Sequence, residues 1–459
     1  MTTLYCSRWV LPISSPPIQD GAVAVDDSRI VDVGARGSLA QRFPDALSNH
    51  FGEAAIIPGL VNVHSHLELT AMRGFLEKEE ADFTAWLRKL TMARIMRMTS
   101  DDRYVSAAWG ACEAERAGIT AVADASDEAS ESIRALADVG LRGTVFQESF
   151  GPDPKLARAN FEKLKTKIAS LAERATPLVK VGVSPHAPYT VCAPQLELIS
   201  QFALAEKLPL MMHAAESVAE DLLLREGRGP FAEALAGRGI KWHAPGISPI
   251  QHLKRHGVLE TRPLLAHCTK VDGEDIDTLK EAGARVAHCP KSNAKLGHGR
   301  APLAQFVERG IVVGLGSDSV ASNNTCDILE EARFATLISR SEIAGASNQR
   351  MIDANDVLRA ATWGGALALN LENQVGELRA GLQADFAVVS LAGAHQLPSY
   401  DPVTTLIFAS SGRDVVLTVV AGREVYRDGR IVTVDEERLR ARMREILKKL
   451  DSRAAAPGL

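Results

Sequence analysis

A short apolar run, Ile57-Pro58-Gly59-Leu60-Val61-Asn62-Val63, ends in His64-Ser65-His66. On a strand, residues two apart point to the same side. His64 and His66 can therefore aim both imidazoles at one point just past the strand's end, and two convergent imidazoles are a metal-ligand pair. Groups of similar chemistry close or follow other apolar runs. They are His186 in Ser184-Pro185-His186-Ala187-Pro188-Tyr189, His213 with Glu216 three residues on, His267, His288, and Asp318 in Gly316-Ser317-Asp318. A lone buried histidine is more often a satisfied core residue than a ligand. A series of strand ends in His or Asp is a different observation, because one scaffold can bring them all together.

That scaffold is legible in the alternation of the middle of the chain. Apolar strands are expected at 60–64, 119–124, 142–147, 179–183, 209–213, 264–267, 284–288 and 312–315. Helical patterns lie between them, at about 82–98, 101–117, 127–139, 157–173, 194–206, 273–282 and 302–309. Short strands apolar on both faces, alternating with helices, predict parallel βαβ units. Eight such units predict an α/β fold with a closed, TIM-like (β/α)8 barrel, whose reactive groups sit at the carboxyl ends of the strands. The termini read differently. Short β runs at Trp9–Ile13, Gly21–Val25 and Arg29–Gly34 have counterparts at Asp385–Val389, Val415–Val420 and Glu424–Tyr426. These predict a composite β-sandwich of residues 1–58 and 370–430, a barrel of residues 59–369, and a C-terminal helix and tail over 431–459.

Composition narrows the class. The 459 residues are 46% hydrophobic and 24% charged with a net charge of −5, which is ordinary globular composition and gives no basic surface for nucleic acid or anionic membrane. No apolar run reaches the ~18 residues of a membrane span, and the first residues carry no signal pattern. Six scattered cysteines with no Cys-x-x-Cys pair read as reduced thiols in a cytoplasmic protein. Cys268 and Cys289 each follow a histidine of interest, which leaves a minor role near the site open. The oligomeric state is not set by the sequence, and a homodimer is compatible with it.

Five stretches in this order carry a resemblance. They are Pro58 through His66, His213-Ala214-Ala215-Glu216-Ser217, Ala266-His267-Cys268, His288-Cys289-Pro290-Lys291-Ser292-Asn293, and Gly316 through Asn324. With the split β region and its Gly376-Glu377-Leu378-Arg379-Ala380-Gly381 segment, the chain resembles the amidohydrolase superfamily over about residues 1–430. Within it, the likeness is to the aminohydrolases and chlorohydrolases that use one metal ion. The resemblance implies that His64, His66, His213 and Asp318 hold a divalent metal. Three nitrogens and a carboxylate suit Zn²⁺ with a position open to water, and Fe²⁺ would also suit them. It implies that hydroxide formed on the metal attacks the substrate, that Glu216 shuttles the proton, that His267 orients the hydroxide, and that Asp318 can also accept its proton. The two-metal branch carries a carbamylated lysine at the end of strand four. Here Lys180 lies near that strand's start, which favours one metal.

Ser184 through Tyr189 is similar to the strand-four motif of methylthioadenosine/adenosylhomocysteine deaminases and aminofutalosine deaminases. That likeness implies a 6-aminopurine nucleoside as substrate, loss of its amine as ammonia, and His186 as a contact to the ribose. Arg73-Gly74 and Phe83-Thr84-Ala85-Trp86-Leu87 resemble the loop that closes over substrate, which makes Arg73 and Trp86 candidate contacts. Relatives often place an acidic residue near that Trp-Leu to grip ribose. Arg88 and Lys89 stand here instead, and Glu148 after strand three is a candidate replacement. Ser292 and Asn293 are candidates for base contacts. Guanine, a pterin or a triazine would use the same metal site with a different pocket. A non-catalytic nucleoside- or metal-binding barrel should have lost a ligand or the acid–base group, and all are present.

Overall fold

The computed structural model describes residues 1–341 and 350–451, so of the expected C-terminal helix and tail, 431–459, the last part, 452–459, lies outside the described residues. Barrel strands one to four are Leu60–Ser65, Ile119–Ser126, Arg142–Ser149 and Val179–Pro185. Strands five to eight are Met211–Ala214, Leu264–His267, Arg285–His288 and Val312–Leu315. Each set of four pairs in parallel in sequence order. Two parallel bridges, Val183 with Leu210 and Ser65 with Asp318, join the sets into a closed ring. The eight expected strands are thus all present.

The ring closes where the chemistry is concentrated. Ser65 stands between two of the predicted ligands and pairs with a third, and the Asp318 amide donates to the His64 carbonyl at 2.9 Å. Below this seam the barrel interior is filled by Val61, Val63, Ala121, Ala123, Phe146, Met211, Ala266 and Ala287. Small and large apolar side chains share that space, as a packed barrel interior requires.

Strand one is followed by an insertion rather than a tight return. Asp82 accepts hydrogen bonds from the Thr84 and Ala85 amides and so starts a helix at Phe83, which runs to Arg97. Thr99 and Asp102 form a reciprocal capping box that starts the next helix, Ser100–Arg116. The first of these, called here the strand-one helix, reaches the carboxyl end of the barrel.

Both termini contribute to one continuous nine-stranded sheet. Phe386–Ser390 pairs antiparallel with Ala54–Pro58, and this pairing stitches the C-terminal strands to the N-terminal ones. Its first strand is Thr3–Val10 rather than Trp9–Ile13. Pro12 lacks an amide donor and Ile13 has a φ of 74°, so the ladder cannot continue through them. The sheet sits at the amino ends of the barrel strands, opposite the reactive ends. Buried Arg142, which opens strand three, makes a two-pronged contact with Asp385 at 2.8 and 2.9 Å. The final helix, Glu436–Asp451, lies against Ser100–Arg116 through Lys449 with Asp102 and Arg116 with Glu436.

Candidate active site

The structure brings His64, His66, His213, His267 and Asp318 together at the carboxyl end of the barrel. His66 Nε2 and His213 Nε2 lie 3.2 Å apart. Asp318 Oδ1 is 3.3 Å from His64 Nε2 and 3.6 Å from His66 Nε2. Donors about 2.0–2.2 Å from a common centre stand roughly 3–3.5 Å apart, so these spacings are those of a first-row divalent ion's shell. The surroundings fit the same reading. His64 Nε2 is buried without a hydrogen-bond partner. His213 Nδ1 is 2.8 Å from the His186 carbonyl, which fixes that nitrogen as the protonated one and leaves the Nε2 lone pair facing the cluster. Burial, reinforced by neighbouring histidines, holds His66 well below the usual imidazole range and brings His213 down to about 4, so both present neutral nitrogens. Burial alone would raise Asp318; contacts with His64, His267 and His66 outweigh it and keep the carboxylate ionised.

Other side chains hold these groups rather than extend them. Ser292 and Ser322 hydroxyls both donate to Asp318 Oδ2, at 2.5 and 2.8 Å. His267 Nδ1 is 2.9 Å from Asn293 Oδ1, which turns Nε2 toward Glu216 Oε1 at 3.6 Å. Ser292 and Asn293 were expected at the substrate; they face the Asp318 and His267 side chains and do not line the cavity. Three strand ends also carry unusual backbone. Ala215, His267, Cys268 and Asp318 have φ of 51°, 75°, 48° and 56°. Non-glycine residues held there cost about 1–3 kcal/mol each, and such positions cluster at functional sites.

Glu216 lies in the cavity wall. Its carboxylate is approached by His267, by His298 Nε2 at 3.4 Å and by the Tyr189 hydroxyl at 3.3 Å. Burial would raise it, but His267, His298 and His213 bring it to about 2, which keeps the carboxylate ionised. Glu220 fixes its backbone by accepting from the Ala215 and Glu216 amides at 3.0 and 2.8 Å.

From this cluster a cavity of about 640 Å³ opens to solvent. His186, Glu148, Thr190, Phe150 and Arg94 line one part of it, and Trp86, Leu87, Phe83, Phe231 and Leu235 another. His186 Nδ1 is 2.8 Å from the Thr190 hydroxyl and its Nε2 is 3.9 Å from Glu148 Oε1. Burial pushes Glu148 up to about 8 even though Arg94 lies 3.7 Å away, and its Oε1 has no hydrogen-bond partner.

Arg73 is elsewhere. It pairs with Glu113 on the half-exposed flank of the Ser100–Arg116 helix and does not line the cavity. A complementary carboxylate outside the barrel mouth has captured it. Lys180 is exposed near the start of strand four, away from the mouth. Cys268 and Cys289 are buried, burial pushes both thiols up, and neither lines the cavity. His288 is buried behind His267 and does not line it either. The sequence reading did not single out His298, Arg94 or Glu220. His298 sits between two glycines, a weak signal for a buried histidine. Arg94 and Glu220 read as ordinary polar positions on helices.

The model of the amidohydrolase family matches residues 55–425, and that of a bacterial imidazolonepropionase-like composite domain matches residues 21–46. A protein of Syntrophobacter fumaroxidans named 5-methylthioadenosine/S-adenosylhomocysteine deaminase is 32% identical over 94% of this chain and 93% of its own. One of the same name from Symbiobacterium thermophilum is 32% identical over 96% and 97%. The solved structure of an adenosine deaminase from Xanthomonas campestris with bound zinc has a TM-score of 0.85 at 26% identity, over 98% of each chain. A triazine hydrolase structure has the same TM-score at 24% identity, over 97% of this chain and 99% of its own, which speaks to the fold.

Proposed function

Because the chain belongs to the amidohydrolase family, we propose that it is a metal-dependent aminohydrolase that removes the 6-amino group of a 5′-substituted adenosine, such as methylthioadenosine, adenosylhomocysteine or aminofutalosine. The observation that carries this reading is the juxtaposition of two sets of groups in one cavity. A convergent His64–His66–His213–Asp318 cluster with Glu216 beside it lies at one end. Buried Glu148 and largely buried His186 lie along the wall beside His213. Full-length relatives named for this reaction support it.

His64, His66, His213 and Asp318 would hold a divalent ion, Zn²⁺ by analogy with the Xanthomonas enzyme, and that ion would supply Lewis acidity. The protein's own groups do the rest. Glu216 accepts one proton of the attacking water and gives it to the ring nitrogen beside the reacting carbon, where it stays. The second proton, from the new hydroxyl, passes through the same carboxylate to the departing amine, so that the C–N bond breaks and ammonia and the 6-oxo product leave. A carboxylate held near 2 takes a proton reluctantly, and a substrate that excludes water around Glu216 raises its affinity toward the useful range. His267, oriented by Asn293, faces the reacting oxygen with Nε2. Asp318, oriented by Ser292 and Ser322, shares the charge.

His186 and Glu148 take the ribose hydroxyls, as two groups able to donate and accept. Trp86, Phe83 and Phe231 give an apolar surface to the remainder of the nucleoside. In this reading residues 59–369 form the catalytic barrel, and residues 1–58 with 370–430 the composite β domain. Six free, buried cysteines favour a cytoplasmic setting. No helix among the described residues is long and apolar enough to cross a membrane.

The test is ammonia release from adenosine, methylthioadenosine, adenosylhomocysteine, aminofutalosine, guanine, a pterin and triazines, with metal analysis of the same sample. The nucleosides should be the preferred substrates, with one divalent ion per chain. Preference for a free base or a triazine would overturn the nucleoside assignment.

A further inference from the structure

His298 is buried, 5% exposed, and does not line the cavity. It is carried by the turn Gly297-His298-Gly299, whose two glycines have φ of 68° and 92°, values that a side chain would resist. Its amide is anchored to the Asn293 carbonyl at 2.9 Å, the same Asn293 that orients His267. Its Nε2 lies 3.4 Å from Glu216 Oε1 and has no hydrogen-bond partner among the described residues. Its ring has an aromatic neighbour as well. Phe83, the first residue of the strand-one helix, meets it edge to face at 4.4 Å. Phe83 in turn touches Trp86 at 6.0 Å and Phe231 at 6.3 Å, and Phe231 stacks on Tyr189 at 4.1 Å. The Tyr189 hydroxyl faces the other oxygen of Glu216 at 3.3 Å. A loop of contacts therefore leaves one carboxylate oxygen, passes through the strand-one helix, and returns to the other.

We propose that His298 is a positioning residue that aims the Glu216 carboxylate, and that Phe83 sets the place of His298, so that seating the strand-one helix over a substrate and aligning the proton shuttle are one event. The proposal rests on the reading of Glu216 as the shuttle. A neutral imidazole with its proton on Nε2 can close the 3.4 Å gap as a donor when the helix settles. Because His298 reaches substrate only through Glu216, its loss should spare binding and slow the chemical step.

The experiment uses the metal-loaded, full-length enzyme and whichever nucleoside it deaminates best. His298→Ala should lower kcat about tenfold to hundredfold, the loss expected for one hydrogen bond to a charged group, with KM changed less than about threefold. His298→Gln, which keeps a donor of similar reach, should recover part of that loss. Metal content and the unfolding midpoint of both variants separate this effect from misfolding. Phe83→Leu should also lower kcat, and its effect should largely vanish in the His298→Ala background, because the two act in series. A kcat within twofold of the parent for His298→Ala, or a Gln variant no better than Ala, overturns the positioning role. Multiplicative effects of Phe83→Leu and His298→Ala overturn the link to the helix. Glu216→Gln is measured alongside. If that variant stays active, the shuttle assignment itself has failed; if it is inactive while His298→Ala is not, the failure belongs to this inference alone.

Discussion

The metal end of the cavity and the part lined by the strand-one helix are built from different kinds of segment. His64, His66, His213 and Asp318 end or directly follow strands whose pairing fixes each Cα, and the closing bridge of the barrel runs through Ser65 and Asp318. Their side chains are then locked by Ser292, Ser322 and the His186 carbonyl. Phe83, Trp86, Leu87 and Arg94 ride instead on a helix inserted between strands one and two. Arg88, Met92 and Ile95 are exposed where the helix borders the cavity, and Met96 is exposed outside it. Chemistry that tolerates little misplacement sits on the rigid part. The groups lining the other part sit on an inserted helix outside the strand ring, the kind of segment that can shift without disturbing the barrel.

The sharpest way to break this comparison is to remove a ligand from the rigid part. His66→Ala should bind less than half of the about one equivalent of divalent metal expected of the parent and reduce ammonia release to background. Elemental analysis and the ammonia assay check it. Two tightly bound metals in the parent, or full activity in the variant, would move the reaction away from this cluster. Glu216→Gln comes next. It matches the shape of the parent and should keep the metal, yet lose at least ~10²-fold in kcat, the scale of general acid–base catalysis. Near-parental turnover would sink the assignment.

The same division explains what could be read in advance. Strand ends were legible because a run such as Leu60–Val63 or Leu264–Ala266 is apolar on both faces, and the first imidazole after it has only one place to go. The barrel and its metal end follow from that pattern. His298 was not legible, since a histidine between two glycines in a loop has no periodicity to place it. Nor was the partner of Arg73 or the inward turn of Arg94. Arginine side chains are long enough to reach several carboxylates, and only the folded chain puts Glu113 beside one and Glu68, Asp127 and Glu148 within 4 Å of the other. Ser292 and Asn293 were expected at the substrate but face Asp318 and His267 instead, because a loop motif cannot say which way its side chains turn.

His186 sits at the boundary between the two regions and sharpens the comparison. Its carbonyl serves the metal end by orienting His213, and its imidazole faces the cavity. His186→Ala keeps the carbonyl. The metal should therefore remain, while kcat/KM for the nucleoside falls by roughly one to two orders of magnitude, mostly through KM. A free base lacking ribose should be affected much less. Equal losses for nucleoside and base would assign the imidazole to the catalytic cluster instead.

The smallest effect is expected from Arg73→Ala, and it tests how far the strand-one segment moves. In this structure Arg73 belongs to neither part of the cavity. It is 39% exposed and its guanidinium is engaged by Glu113, which also accepts the Cys326 amide at 3.1 Å. An ion pair this exposed contributes at most ~1 kcal/mol to stability, and a side chain outside the cavity adds nothing to substrate affinity. The variant should keep kcat and KM within about twofold of the parent, with a shift of only a few degrees in its unfolding midpoint. A tenfold rise in KM alone would have a definite meaning. It would show that closure carries the segment from Leu67 to Arg97 far enough to break the contact with Glu113 and bring Arg73 to the substrate. The rigid part of the site would then end at His66, and everything up to the capping box at Thr99 would belong to the moving part.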